Sequence, residues 1–215
     1  MEVFNGNIDN AYLSGTVSVN GAYTLPTTND ANGKVLTING AGVSQWKYEF
    51  IGNAGISNQT ISGADTYITG SALAVGGVSG SGTVLRWIGT VTKTAAGTAA
   101  PIFNVRFGTA GTTADTARHT FTGVAQTAAT DTGFFEITVV VRSVSATGTS
   151  HGTLRFEHFN TTTGLANKAQ VQLIQNVSAT YDNTSASLIA GLSINPGASG
   201  VWTVYQVTAE AFNLV

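Results

Sequence analysis

Apolar and polar residues alternate with period two along much of the chain. The cleanest run is Phe134–Ser143, where Phe135, Ile137, Val139 and Val141 share one face and Glu136, Thr138 and Arg142 the other. That pattern predicts a half-buried strand. Leu85, Trp87 and Val91 alternate with Arg86, Thr90 and Thr92, and Phe103, Val105 and Phe107 with Asn104 and Arg106. Further runs lie at Arg118–Val124, Leu154–His158, Gln170–Val177, Leu188–Ile194 and Val201–Phe212. Turn clusters such as 109–113, 130–133, 147–150, 161–164 and 195–197 separate them. No long window repeats apolar residues at helical spacing.

About eight strands at this spacing predict an all-β sandwich, and the even number points to a jelly-roll type with two four-stranded sheets face to face. Trp87 and Trp202 fall within strand patterns and are expected in the core.

The front of the chain reads differently. From Met1 to about Gln45, apolar residues come in twos and threes between turns. Asn32-Gly33, then Lys34–Ile38, then Asn39-Gly40 is hairpin chemistry, because Asn and Gly tolerate positive φ. An isolated hairpin is marginal in water. It needs the sandwich, or the same segment of other copies, to complete it. The stretch Gly76–Gly82 (GGVSGSG) reads as a loop or linker. The expected organisation is an N-terminal β-hairpin or anchoring module at 1–47, connecting strands and a Gly/Ser-rich loop at 48–83, and the sandwich at 84–215.

Charged residues make up only 9% of the 215, and the net charge is -2. Threonine, with 33 copies, and glycine, with 26, take their place, so hydroxyls and amides must carry hydration. The 42% hydrophobic content argues against disorder. Nothing in this balance attracts nucleic acid or an anionic membrane. Cysteine is absent, which removes disulfides and thiolate metal sites. The start, MEVFNGNIDN, shows no secretory pattern, and apolar runs are too short to span a bilayer as helices. Synthesis in a cytoplasm, without membrane insertion, is the expectation.

No catalytic pattern in the sequence is complete. Gly77-Val78-Ser79-Gly80 lacks the spacing of a nucleophile elbow and reads as a flexible loop. P-loop and dinucleotide fingerprints are missing. The three histidines, His119, His151 and His158, form no H-x-H or H-E-x-x-H pattern, and His119 and His158 run in phase with Phe121 and Phe156 as inward or interface residues. The run Asn29–Gly33 lacks the closing Glu of a calcium loop. Paired carboxylates for glycoside cleavage are not evident; Glu136 and Glu157 sit on polar faces beside Arg142 and Arg155 and read as cross-strand partners or solvated groups. No enzyme, cofactor or metal is expected. A sugar site on a sandwich uses an exposed aromatic with nearby amides and carboxylates. Tyr181-Asp182-Asn183, between two strands, is the candidate glycan contact, and an ordinary turn whose Tyr closes the core is the alternative.

Asn20–Thr27 (NGAYTLPT), Asn32–Leu36 (NGKVL) and Gly42–Trp46 (GVSQW) together resemble a module of tailed-bacteriophage fibre proteins that reads roughly AYTLPT, a D/N-G turn, QVL, a Gly-rich turn and V-x-W. The match covers about 28 residues by position, and Lys34 stands where Gln is usual. Asp65–Ser71, Thr92–Pro101, Gly108–Arg118 and Ala190–Asn195 resemble a recurring C-terminal domain of phage virion proteins. The resemblance implies a virion structural or adhesion component, generally a homotrimer, on the surface of the particle. In such fibres thin segments of three chains wrap one axis. Tyr23, Leu25, Val35, Leu36, Ile38 and Trp46 are then the expected shared core, with packing on the chain's own sandwich as the alternative. The implied partners are two sister copies, other capsid or tail proteins, and a host surface glycan. The implied role is a short tail or head fibre for attachment, a capsid decoration protein being the alternative and a glycan depolymerase the more remote one.

Overall fold

The computed structural model describes residues 18–19, 23–24, 34–38, 44–158 and 173–215. The chain divides into two compact units, Met1–Glu49 and Phe50–Val215. In the first unit, Ser18–Val19 (β1) pairs with Tyr23–Thr24 (β2), and Lys34–Ile38 (β3) pairs with Ser44–Tyr48 (β4) from Lys34↔Tyr48 to Ile38↔Ser44. Each pair is a separate two-stranded antiparallel sheet. Leu25 lies outside the described residues; Tyr23 is in β2, Val35, Leu36 and Ile38 are in β3, and Trp46 is in β4.

In the second unit the period-two runs become strands, buried on one face and half-buried on the other. Four short strands come first: Phe50–Ala54 (β5), Gln59–Ser62 (β6), Thr66–Tyr67 (β7) and Leu73–Ala74 (β8). Eight longer ones follow: Val84–Lys93 (β9), Ile102–Gly108 (β10), Thr116–Thr122 (β11), Asp131–Val141 (β12), Gly148–His158 (β13), Leu173–Tyr181 (β14), Ile189–Asn195 (β15) and Val201–Phe212 (β16). The described residues contain no helix.

The larger sheet runs β14-β13-β12-β9-β16, with β5 and β6 both pairing on the outer side of β16; the smaller runs β11-β10-β15, with β7 and β8 on the far side of β15. All pairings are antiparallel. The result is the expected all-β, jelly-roll-like sandwich. The strands do not divide four and four, however. Of β9 to β16, five lie in one sheet and three in the other, because β12, β13 and β14 continue as a meander in a single sheet. Residues 50–74 then widen both sheets.

Inward residues of the two sheets interdigitate. Trp87, Phe103, Phe121, Phe135 and Trp202 have no exposed surface. Phe103 lies 5.5 Å from Phe135, 5.3 Å from Phe156 and 6.0 Å from Trp202, all tilted pairs. Trp87 donates its indole N–H to the Ser71 carbonyl at 2.7 Å, so its polar edge is satisfied inside the core.

Side chains, rather than further strand pairing, close the two open edges. On one side Asn53 donates to the Ala72 carbonyl at 2.9 Å, and the Gln59 amide spans the Tyr67 carbonyl and the Thr69 N–H, both at 2.9 Å. On the other, Gln175 Nε2 donates to the Thr122 carbonyl, and His119 Nδ1 donates to that of Val177 at 3.1 Å. Exposed strand edges invite pairing with other chains, and these bridges blunt them.

The sandwich has two distinct ends. The chain enters at Phe50, which pairs with Phe212, beside Val84 and Val140. The loops at 76–82, 142–147 and 182–187 lie at this end. Lys93, Asp131 and Trp202, aligned across β9, β12 and β16, mark the opposite end, which carries the loops at 94–101, 123–130 and 196–200.

Candidate functional site

The predicted sugar contact sits at the entry end. Tyr181 is only 4% exposed; its ring packs on Phe107 with centroids 4.5 Å apart, and the Arg118 guanidinium lies over the Tyr181 ring, 5.7 Å from its centroid. Burial pushes its hydroxyl up to about 12. Asn183 is also buried. Its Oδ1 accepts from the Ser145 N–H and its Nδ2 donates to the Ser143 carbonyl, both at 2.9 Å, so it staples the 142–147 loop. Asp182 alone is exposed, accepting from the N–H and hydroxyl of Thr184, which hold its carboxyl below the usual range. A ring buried this way has no face to offer a pyranose. The glycan assignment to Tyr181, Asp182 and Asn183 is therefore corrected to a core tyrosine followed by a loop-fixing asparagine.

The other chemistry-bearing residues are consumed by the fold. His119 is fully buried; Ser150 Oγ donates to its Nε2 at 2.8 Å while Nδ1 donates to Val177. Burial lowers its pKa to about 4, against the opposing pull of the Val177 carbonyl. Ser150, with 1% exposure, is no accessible nucleophile.

Arg106, on the outer face of the small sheet, spends its guanidinium on four partners. Nε donates to Ser193 Oγ at 2.7 Å, Nη1 to the Thr113 and Asp115 carbonyls, and Nη2 to Asp65. The Asp115 carboxylate in turn accepts from the N–H groups of Ala110 and Gly111 at 3.0 and 2.7 Å. This is an anchor for the 109–115 loop. At the far end Lys93, buried, donates to the carbonyls of Thr94 and Ala129 at 2.7 and 2.8 Å. Burial lowers its pKa, with Asp131 opposing. His158 faces Asp131 at 3.3 Å, each with 2% of its side chain exposed. Arg155 pairs with Glu157 two residues along the same strand, and Arg86 with Glu210 across β9 and β16. No group of three metal-ligating side chains occurs among the described residues.

One exposed feature stands apart. The pairing of β16 with β9 slips between Val204 and Gln206: Val204 opposes Val91, Gln206 opposes Thr90, and Tyr205 is the extra residue. A bulge of this kind turns two consecutive side chains to the same face and re-aims them. Tyr205 and Gln206 are both exposed, Tyr205 at 46%. On the far side of β16 the same point is a break. β5 ends at Ala54 opposite Thr208, β6 begins at Gln59 opposite Val204, and Gly55 N–H donates to the Val207 carbonyl at 2.9 Å. The loop bridging the break carries Ile56, which is 97% exposed. Next to the bulge runs a row of hydroxyls, Thr60–Thr203–Thr92–Thr132, in direct register across four strands, the last two with their oxygens 3.3 Å apart. In the sequence the only trace of this arrangement is a skipped beat: Trp202 and Val204 are inward, and then Val207, Ala209 and Ala211.

No family model matches the chain, and no curated protein matches it. Among solved structures, that of the infectious bursal disease virus Gt strain matches at a TM-score of 0.25 and 13% identity, over 89% of this chain and 49% of that one. The crystal structure of the infectious bursal disease virus VP2 subviral particle matches at 0.24 and 12%, over 89% and 51%. The chain thus spans about half the length of the solved chains it matches. At such scores the likeness carries no argument about kinship or role.

Proposed function

We propose that this chain is a non-enzymatic structural and display protein of a virus particle, assembled as a homotrimer in the manner of a short fibre. The N-terminal unit anchors it and the sandwich is presented outward for attachment. The observation that carries this reading is the pairing pattern of the N-terminal unit. Its β3–β4 hairpin forms a sheet of two strands, with no third strand from the described residues. A lone hairpin is marginal in water, and sister copies supply what it lacks. The resemblance of residues 20–46 to a phage fibre module supports the same conclusion. The polarity of the sandwich supports display, since three described loops and the Tyr205 bulge lie toward the end opposite chain entry.

Light scattering after size exclusion tests the assembly. The full chain is expected at three times its 22.0 kDa mass, and residues 50–215, which carry their own core, as a monomer. A monomeric full chain overturns the proposal. Particles lacking the protein separate a fibre from a decoration protein: intact heads that adsorb poorly indicate the former, fragile heads the latter.

A further inference from the structure

We infer that the outer face of the large sheet around Tyr205 binds a neutral carbohydrate. The inference rests on the attachment reading and gives it a ligand class and a location. Three features converge. The β-bulge presents Tyr205 and Gln206 side by side on a strand paired along one flank with β9 and, on the other, with β6 before the bulge and with β5 after it. The bulge is also fixed from within: a Cβ on Gly89 would lie 2.6 Å from the Gln206 carbonyl oxygen and 2.4 Å from the Phe135 ring. Here glycine lets the bulged backbone approach, and the surface above it is preorganised, which lowers the cost of binding.

The chemistry of that surface is selective. A half-exposed tyrosine offers a flat apolar face with a polar tip. The C–H face of a pyranose stacks on such a ring, while its hydroxyls meet the Gln206 amide and the Thr90 and Thr203 hydroxyls. Ile56 adds a wholly exposed apolar group beside the bulge, suited to the methyl of an N-acetyl or 6-deoxy sugar. Charge is distant. Among the described residues the outer-face charges nearest the bulge are Glu136, two strands across and two residues along at roughly 12 Å, the Arg86–Glu210 pair, four residues along at roughly 13 Å, and Glu157, three strands across at about 14 Å. Among the described residues no cation adjoins this surface to reward a sialic or uronic acid, and the Glu136 carboxylate on the same face disfavours one, so the inferred ligand is neutral.

Saturation-transfer difference NMR on the full chain tests this. The probes are neutral oligosaccharides of glucose, galactose, N-acetylglucosamine, N-acetylgalactosamine and rhamnose, with sialyllactose and a glucuronate oligomer as anionic comparisons. At least one neutral probe is expected to bind. Tyr205→Ala should weaken it at least tenfold, and Tyr205→Trp, which keeps a stacking face, should stay within about threefold of the parent. Folding of each variant is checked by circular dichroism. The inference falls if no neutral probe gives a signal that Tyr205→Ala removes, or if only the anionic probes bind. It falls equally if Tyr205→Ala lowers the mass of the assembly and no saccharide binds, because the patch is then a contact between copies. An unaltered trimer that ignores every sugar refutes the glycan site and leaves the fibre reading standing.

Discussion

His119 makes the acid stability of the sandwich calculable. The imidazole is completely buried, accepts a hydrogen bond from Ser150 and donates one to the Val177 carbonyl, so the fold holds it neutral. Its pKa is lowered to about 4 by burial, from 6.5 in the unfolded chain. The unfolded state therefore binds the proton first as pH falls. Stability from this residue is fully present above about pH 6.5 and is lost as pH drops toward 4. Between pH 7.5 and 4.5 the loss amounts to roughly 2–3 kcal/mol by linkage, a large share of the ~5–15 kcal/mol that holds an ordinary domain together. Urea unfolding of the wild type and His119→Gln at pH 7.5, 6.0 and 4.5 reads it. Glutamine keeps a donor and an acceptor but cannot titrate. The variant should be weaker at pH 7.5, by about 1–2 kcal/mol for imperfectly remade hydrogen bonds. It should also lack roughly 2–3 kcal/mol of the wild type's acid sensitivity, which for a slope near 2 kcal/mol/M is a midpoint difference on the order of 1 M. Carboxylates titrate in both proteins and cancel in the comparison. Parallel pH profiles would refute the argument.

Two further outcomes are expected. Gly70 has a φ of +83°, and a Cβ there would lie 2.1 Å from the Gly55 nitrogen and 2.3 Å from the Ala54 carbonyl carbon. Because both obstacles are backbone, Gly70→Ala should cost at least about 2 kcal/mol and lower the melting temperature by roughly 4–8 °C; an unchanged melt contradicts the geometry. Arg106→Lys keeps the charge but loses the planar fork that reaches Ser193, Asp65 and two loop carbonyls at once. It should expose the 109–115 loop to limited proteolysis, and a cleavage pattern identical to wild type would show that the anchor is dispensable.

How much of this was legible beforehand varies element by element. Phe134–Ser143 announces its strand because Phe135, Ile137, Val139 and Val141 all point inward, and the structure places it at Asp131–Val141, three residues earlier at its start and two at its end, where inward Asp131 and Gly133 carry no apolar signal. The strand at Gly148–His158 was half visible, from Leu154 onward. Its first inward positions are Gly148, Ser150 and Gly152, which carry no hydrophobic signal. They are small because the opposing side chains need the room: a Cβ on Gly152 would lie 2.8 Å from His119 Nδ1, and one on Gly148 would lie 2.3 Å from Asn183 Oδ1. Tyr181 shows the same limit in reverse. A tyrosine beside a turn reads either as a sugar contact or as a side chain that closes the core, and only the ring of Phe107 from another strand decides for the second.

Alternation along the chain thus determined the all-β class, the eight principal strands and the inward place of Trp87 and Trp202, because period two is a local property of extended backbone. The division of strands between sheets, the slip that frees Tyr205, and the enclosure of His119 and Arg106 were settled by the tertiary structure alone. Each depends on which residues meet across distances of tens of positions, such as Arg106 with Asp65 and Thr90 with Gln206. Pairing and mutual desolvation at that range leave no periodic trace in either partner's own stretch of sequence.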